Sequence, residues 1–122
     1  MNKNLIIVCV LGMLTIILGA FGAHALKDKL SSEALQSFET AVRYQMYHVI
    51  VLLFVNIYQG FSPEFKTTLT ITFLVGILFF SGSIYLMHLA KVPAKSIWFV
   101  TPLGGLILIV GWGMMAYHFI KQ

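Results

Sequence analysis

The run from Leu5 to Leu26, LIIVCVLGMLTIILGAFGAHAL, contains no Asp, Glu, Lys or Arg. At a rise of about 1.5 Å per residue, a helix of this length crosses the ~30 Å hydrocarbon core of a bilayer. The run also imitates a secretory signal peptide, because Lys3 precedes it and Ala23-His24-Ala25 suits a cleavage site. It is longer than the usual apolar core of such a peptide, so we predict an uncleaved membrane-spanning helix.

Three more apolar runs follow, and residues typical of turns separate them. The predicted spans cover about residues 5–26, 43–61, 66–88 and 96–119. Gly60 to Glu64 contains a glycine, a serine that can cap a helix, a proline and an acid, which end one helix and start the next. Lys91 to Lys95 forms the last turn. We predict one all-α domain over residues 1–122, an integral membrane four-helix bundle.

The composition excludes a water-soluble globule. Of the 122 residues, 59% are hydrophobic and only 10% are charged, and the mean hydropathy is +0.91. Soluble domains carry about 25% charged residues, which cover the surface that faces water. The partner predicted for the exterior of this chain is therefore the lipid bilayer.

An amphipathic juxtamembrane helix is predicted over about residues 32–43. Ser31 can cap it, Glu33 complements the dipole in its first turn, and apolar residues recur at helical spacing. No breaker separates this segment from the second span, so one long helix is expected. Glu39 and Arg43 stand four residues apart in the order that favours a surface ion pair, and both are also candidates for a polar site.

The fourth span begins near a proline. Either Pro102 kinks the helix, or Thr101 caps a helix that begins there. Trp98 and Tyr117 near the two ends are typical interfacial anchors.

The basic residues are scattered and form no dense stripe, so no nucleic-acid partner is expected. Four spans place both termini on one side with Lys3, Lys66 and Lys121. The loops 27–43 and 91–95 lie on the other side with the remaining five, which are Lys27, Lys29, Arg43, Lys91 and Lys95. The excess predicts cytoplasmic loops and external termini in a multi-pass protein of the cell membrane.

Small residues share one face of the first span and one face of the fourth. The glycines on these faces are Gly12, Gly19, Gly22, Gly104 and Gly111. Small residues let helices approach closely in lipid, so these faces predict helix packing and self-association as a homo-oligomer. A ligand groove is the alternative.

A polar stripe lies on the second span, where Gln45, His48 and Asn56 share one face. Polar groups in hydrocarbon are costly unless they are partnered, so the stripe is expected to point into the bundle. It either forms interhelical hydrogen bonds or lines a polar path.

His24, His48 and His88 are predicted to lie near one membrane side, as a proton relay, a substrate contact or structural donors. No HxxxH or CxxC spacing is present, so neither a metal nor a cofactor is expected.

Cys9 is interpreted as a buried small hydrophobe. No acid lies at mid-membrane depth and no catalytic motif is visible, so no enzyme activity is expected.

Four ordered motifs resemble one family of small bacterial membrane proteins, domain of unknown function family 423, relatives of the eukaryotic transmembrane protein 256. The strings are LGAFGAHAL (18–26), FETAVRYQMYH (38–48), FSGSIY (80–85), and TPLGGL (101–106) followed by Gly111-Trp112. The resemblance implies a four-helix membrane protein and supplies no activity.

Three functional classes follow. The leading hypothesis is a noncatalytic scaffold, assembly or membrane-environment component. A small transporter or channel that uses the polar stripe is the alternative, and a membrane enzyme is the second alternative.

Overall fold

A computed structural model describes residues 2–122, and within them the chain forms five helices. These are α1 (Lys3–His24), α2 (Ser32–Ile57), α3 (Pro63–Leu89), the single turn α4 (Ala94–Ile97) and α5 (Val100–Lys121). Four stretches are long and apolar enough to cross a membrane: α1, α2, α3 and the segment Ala94–Lys121. The predicted all-α, four-span fold is confirmed.

Side-chain oxygens cap the N-termini of the first three helices. Asn2 Oδ1 accepts the Leu5 N–H at 3.1 Å, Ser31 Oγ accepts the Ala34 N–H at 3.1 Å, and Ser62 Oγ accepts the Phe65 N–H at 3.2 Å. These oxygens satisfy amide groups that the first turn of a helix leaves without partners. The starts predicted at Ser31 and at the Ser62-Pro63 pair are therefore confirmed.

The helix α2 runs unbroken for 26 residues, which corresponds to about 39 Å. It ends at Ile57, four residues before the expected end of the second span, because Tyr58 takes an extended conformation. That change of direction lets Phe61 fold back against the bundle, where only 3% of its surface is exposed.

Neither interpretation of the Thr101-Pro102 pair is correct. The helix breaks at Trp98 and Phe99, and α5 begins at Val100 with Phe99 as its cap residue. Pro102 thus lies in the first turn of α5, where a missing N–H breaks no helical hydrogen bond. Pro102 therefore does not kink α5, and Thr101 lies inside this helix instead of capping it.

The two middle helices form the centre of the bundle. Helix α2 packs against α3, α1 packs on α2, and α5 packs on α3. Successive spans alternate in direction, so residues 2–4, 57–66 and 119–122 share one end, which we name the terminal face. Residues 25–31 and 90–99 share the other end, the loop face.

Apolar side chains fill the interior and also cover the outside. Leu52, Leu69 and Phe73 are fully buried, whereas Ile16 on α1 is 66% exposed. A surface this apolar is compatible with lipid and not with water. Cys9 is also exposed on α1, so its interpretation as a buried residue is wrong.

Aromatic rings close one half of the terminal face. Phe61 lies at the centre of this aromatic cluster, and its ring centroid is between 4.8 and 6.1 Å from those of Phe54, Tyr58, Phe65, His118 and Phe119. The cluster fixes the turn between α2 and α3 against the end of α5.

Candidate functional site

The polar stripe of α2 lies inside the bundle, as its composition predicts. The exposed fractions are 2% for Gln45, 5% for His48 and 6% for Asn56. Each of these side chains has its own set of partners, so the stripe is a series of three separate hydrogen-bonded groups.

Gln45 connects the first three helices. Its Nε2 donates to Thr15 Oγ1 on α1 at 2.8 Å, and its Oε1 accepts from the Tyr85 hydroxyl on α3 at 2.6 Å. Thr15 Oγ1 donates in turn to the Leu11 carbonyl at 2.7 Å. One turn away, Ser81 Oγ donates to the Ala41 carbonyl at 2.7 Å and adds a second link between α3 and α2. This group holds α1, α2 and α3 together.

His48 connects α2 to α5 through both ring nitrogens. Its Nδ1 is 2.7 Å from the Tyr44 carbonyl oxygen, and its Nε2 is 3.1 Å from Trp112 Nε1. A carbonyl only accepts and an indole N–H only donates, so Nδ1 carries the proton and Nε2 accepts. The imidazole is therefore neutral in this arrangement. A metal ion or a second proton could bind only after the bond to Trp112 is broken.

Asn56 connects three helices close to the terminal face. Its Nδ2 donates to the Leu52 carbonyl at 2.9 Å and to Thr70 Oγ1 at 3.0 Å, while its Oδ1 accepts from Asn4 Nδ2 at 3.0 Å. The Lys66 ammonium donates to the backbone oxygen of Asn56 at 3.3 Å. Within residues 2–122, no buried side-chain nitrogen or oxygen lacks a hydrogen-bond partner.

The three histidines do not come together. His24 is exposed at the loop-face end of α1 and His88 is half-buried near the loop-face end of α3. His48 lies 16 residues into α2, about 24 Å from its loop-face end, so the expectation that it shares their side is wrong. In the part of the chain that the structure describes, no group of three His, Cys, Asp or Glu side chains could hold a metal.

Arg43 does not form the expected ion pair. Its Nη2 donates instead to Thr40 Oγ1 at 3.2 Å, one turn back along α2. Glu39 and Arg43 both border a shallow cleft between α1 and α2 beside Gly19 and Gly22. They lie away from the polar stripe and contribute to the outer surface of the helix.

The model of the DUF423 family, which is described as a protein of unknown function, matches residues 18–105. The chain belongs to this family. A UPF0382 membrane protein of Haemophilus influenzae is 38% identical over 99% of this chain and 96% of that protein.

Two more relatives carry the same description. The UPF0382 membrane protein YwdK of Bacillus subtilis is 33% identical, with 99% of this chain and 98% of that protein covered. A UPF0382 membrane protein of Staphylococcus saprophyticus is 39% identical over 89% of both chains. No solved structure matches this chain. The resemblance in the sequence is confirmed, and the DUF423 chain is a multi-pass membrane protein of a family whose function is unknown.

The glycine faces of this DUF423 protein form two seams within one chain. On α1, a Cβ at Gly12 or Gly19 would contact valines of α2 at 3.4 Å, and one at Gly22 would lie 2.6 Å from the Phe38 ring. On α5, a Cβ at Gly111 would lie 2.7 Å from the Phe73 ring, and one at Gly104 would collide with the backbone of α3 at Phe80. These glycines therefore let α1 pack closely on α2 and α5 pack closely on α3. A second copy could reach them only by displacing these partners, and self-association through them stays a prediction.

The Gln45 group can be reached from lipid. A groove of about 390 Å³ runs between α1 and α3, with Gln45, Ser81 and Tyr85 in its floor and apolar side chains along its walls. The groove opens to the exterior of the bundle, which is hydrocarbon at this depth. The polar atoms in the floor already bond one another, so the groove offers mainly apolar contact.

The sequence predicted the stripe but not the side chains that it binds, and two of these partners are the most distant along the chain. Asn4 and Trp112 lie 52 and 64 residues away from the side chains that they bind. An amide next to an apolar run, and an indole near the middle of a span instead of at its end, were the signals that the sequence offered.

Proposed function

We propose that this DUF423 protein is a noncatalytic component of the cell membrane that acts as a scaffold, assembly or membrane-environment element. The observation that carries the proposal is the complete pairing of the polar stripe. Gln45, His48 and Asn56 use their hydrogen-bonding groups to join neighbouring helices. Buried polar groups that are fully satisfied stabilise one arrangement of the helices.

The same pairing weighs against a transporter or channel. A polar path needs groups that exchange their partners for water or solute, and these side chains are already paired with side chains of neighbouring helices at three depths. A catalytic role of the stripe is supported still less, because general acid–base chemistry needs a group free to take up or release a proton. Both ring nitrogens of His48 are already in use.

We expect the purified protein in liposomes to give no solute flux above that of empty vesicles. His48→Ala and Asn56→Leu should instead lower the thermal unfolding temperature in detergent, since each leaves polar groups unpaired in an apolar environment at about 1–3 kcal/mol. His24→Ala is the matched control, because His24 is exposed and its loss should leave the unfolding temperature unchanged. A flux that His48→Ala abolishes without a loss of stability would establish the transporter alternative.

The orientation that we infer places both termini outside and the loop face in the cytoplasm. It rests on four lysines of the loop face, with Arg43 in the half of α2 nearest to it, against three basic residues on the terminal face. In a Cys9→Ser background, a membrane-impermeant maleimide added to intact cells should label Gln59→Cys and spare Ser32→Cys. Both positions are exposed and neither substitution alters a basic residue. The opposite labelling pattern would reverse the assignment.

A further inference from the structure

A polar cavity of about 580 Å³ opens on the terminal face between the starts of α1 and α3 and the end of α2. It is separate from the apolar groove between α1 and α3. Its polar lining consists of Asn2, Lys3, Asn4, Asn56, Lys66 and Thr67. We name it the basic cavity.

The charge of the basic cavity is positive. Lys3 and Lys66 both line it, and none of the four acidic residues of the chain does. The Lys66 ammonium has three donors, and it gives one of them to the neutral Asn56 carbonyl at 3.3 Å. Two N–H groups and the full charge therefore remain for a ligand. Since α1 and α3 both begin here, the positive ends of two helix dipoles add to the same potential.

Hydrogen bonds between helices hold the floor of the basic cavity in place. Asn4 Nδ2 donates to Asn56 Oδ1 at 3.0 Å, and Asn56 is held in turn by Thr70 Oγ1 and by the Leu52 carbonyl. These bonds fix the distance between α1 and α3 at the rim, so the cavity does not depend on a ligand to form.

The position of the basic cavity is that of lipid headgroups. Lys3 opens α1, and the uncharged apolar run begins two residues later at Leu5. Lys66 lies in the first turn of α3, next to the apolar part of that span. A phosphate group at the edge of the hydrocarbon would thus meet both ammonium groups from the bilayer side or from water.

We infer that the basic cavity binds a phosphate group, carried by an anionic phospholipid or by a free phosphate. Two lysines, amide donors and a volume of several hundred Å³ suit a phosphodiester headgroup and also a smaller phosphate. This inference does not depend on the proposed function, because a flux-carrying protein could hold the same ligand.

The experiment is a binding titration of the delipidated full-length protein in neutral detergent, read by native mass spectrometry. The probes are phosphatidylglycerol, phosphatidylcholine and inorganic phosphate. We expect tighter binding of phosphatidylglycerol than of phosphatidylcholine, and a loss of affinity of about 5-fold for each lysine removed in Lys3→Gln and Lys66→Gln. If inorganic phosphate competes with phosphatidylglycerol for binding, the cavity recognises the phosphate itself. If inorganic phosphate does not compete, the cavity recognises the whole lipid headgroup.

The double variant Lys91→Gln/Lys95→Gln is the matched control, since it removes the same charge from the loop face. Lys121→Gln removes one charge from the terminal face outside the basic cavity. Both should bind phosphatidylglycerol as the wild type does, and Lys3→Arg/Lys66→Arg should keep most of the affinity. Because Lys66 also bonds α2, the exposed Lys3→Gln tests the inference without touching the fold. Equal loss of affinity in Lys3→Gln/Lys66→Gln and Lys91→Gln/Lys95→Gln would overturn the assignment.

Discussion

Gly104→Ala is expected to destabilise the bundle by about 3 kcal/mol, the upper end for an overpacked core. A Cβ at this position would lie 2.7 Å from the Phe79 carbonyl carbon and 2.8 Å from Phe80 Cα, and closer still to the Phe80 nitrogen. These are backbone atoms of α3, so no side-chain rotation relieves the collision. The helices α3 and α5 must move apart along their whole seam. Thermal unfolding in detergent, followed by size-exclusion chromatography, measures the effect.

The neighbouring residue offers a matched control for Gly104→Ala. A Cβ at Gly105 would meet only Phe80 Cδ2, at the ordinary distance of 3.8 Å, and one at Gly113 would meet nothing within 4 Å. Gly105→Ala and Gly113→Ala should therefore be neutral or stabilising by up to about 1 kcal/mol, the gain in helix propensity. If Gly104→Ala unfolded at the same temperature as these two, the close approach of α5 to α3 would be wrong.

Gln45→Leu is expected to destabilise the bundle by about 2 kcal/mol, because it leaves the Tyr85 hydroxyl and one lone pair of Thr15 without a partner in a buried site. Gln45 bonds both α1 and α3, so its loss should loosen two helix contacts at once. The free energy of unfolding in a detergent and denaturant titration is the quantity to measure.

A double-mutant cycle isolates the bond between Gln45 and Tyr85. Gln45→Leu and Tyr85→Phe should each destabilise the protein, and the pair should show a coupling of about 1 kcal/mol, as for other hydrogen bonds between membrane helices. Gln36→Leu, at an exposed position of the same helix, should be close to neutral. Strictly additive effects of the two buried substitutions would show that the bond contributes nothing.

The spans, two helix starts and the inward direction of the stripe were predictable because each depends on residues close in sequence. The cap of Ser31 on Ala34 reaches three residues, and the stripe repeats at the helical period. The bonds from Asn4 to Asn56 and from Trp112 to His48 depend on how whole helices pack, so local patterns do not contain them.

The predictions that failed have the same physical origin. Cys9 lies in a helix that is apolar all round, and in lipid the inner and outer faces have the same composition, so periodicity does not say which face is buried. The depth of His48 depended on how the first turns of α2 pack, because Phe38 lies against Gly22 and Tyr85 inside the bundle. The break at Trp98 and Phe99 carries no proline or glycine of its own.

The aromatic cluster around Phe61 has a consequence for how this protein meets its surroundings. It covers the half of the terminal face that α5 shares with α3, while the ammonium groups of Lys3 and Lys66 stand on the half that α1 shares with α3. The terminal face is thus two-sided, with aromatic rings on one half and the charges of Lys3 and Lys66 on the other. A charged solute that approaches this face from water therefore meets the two lysines beside α1 and aromatic rings beside α5.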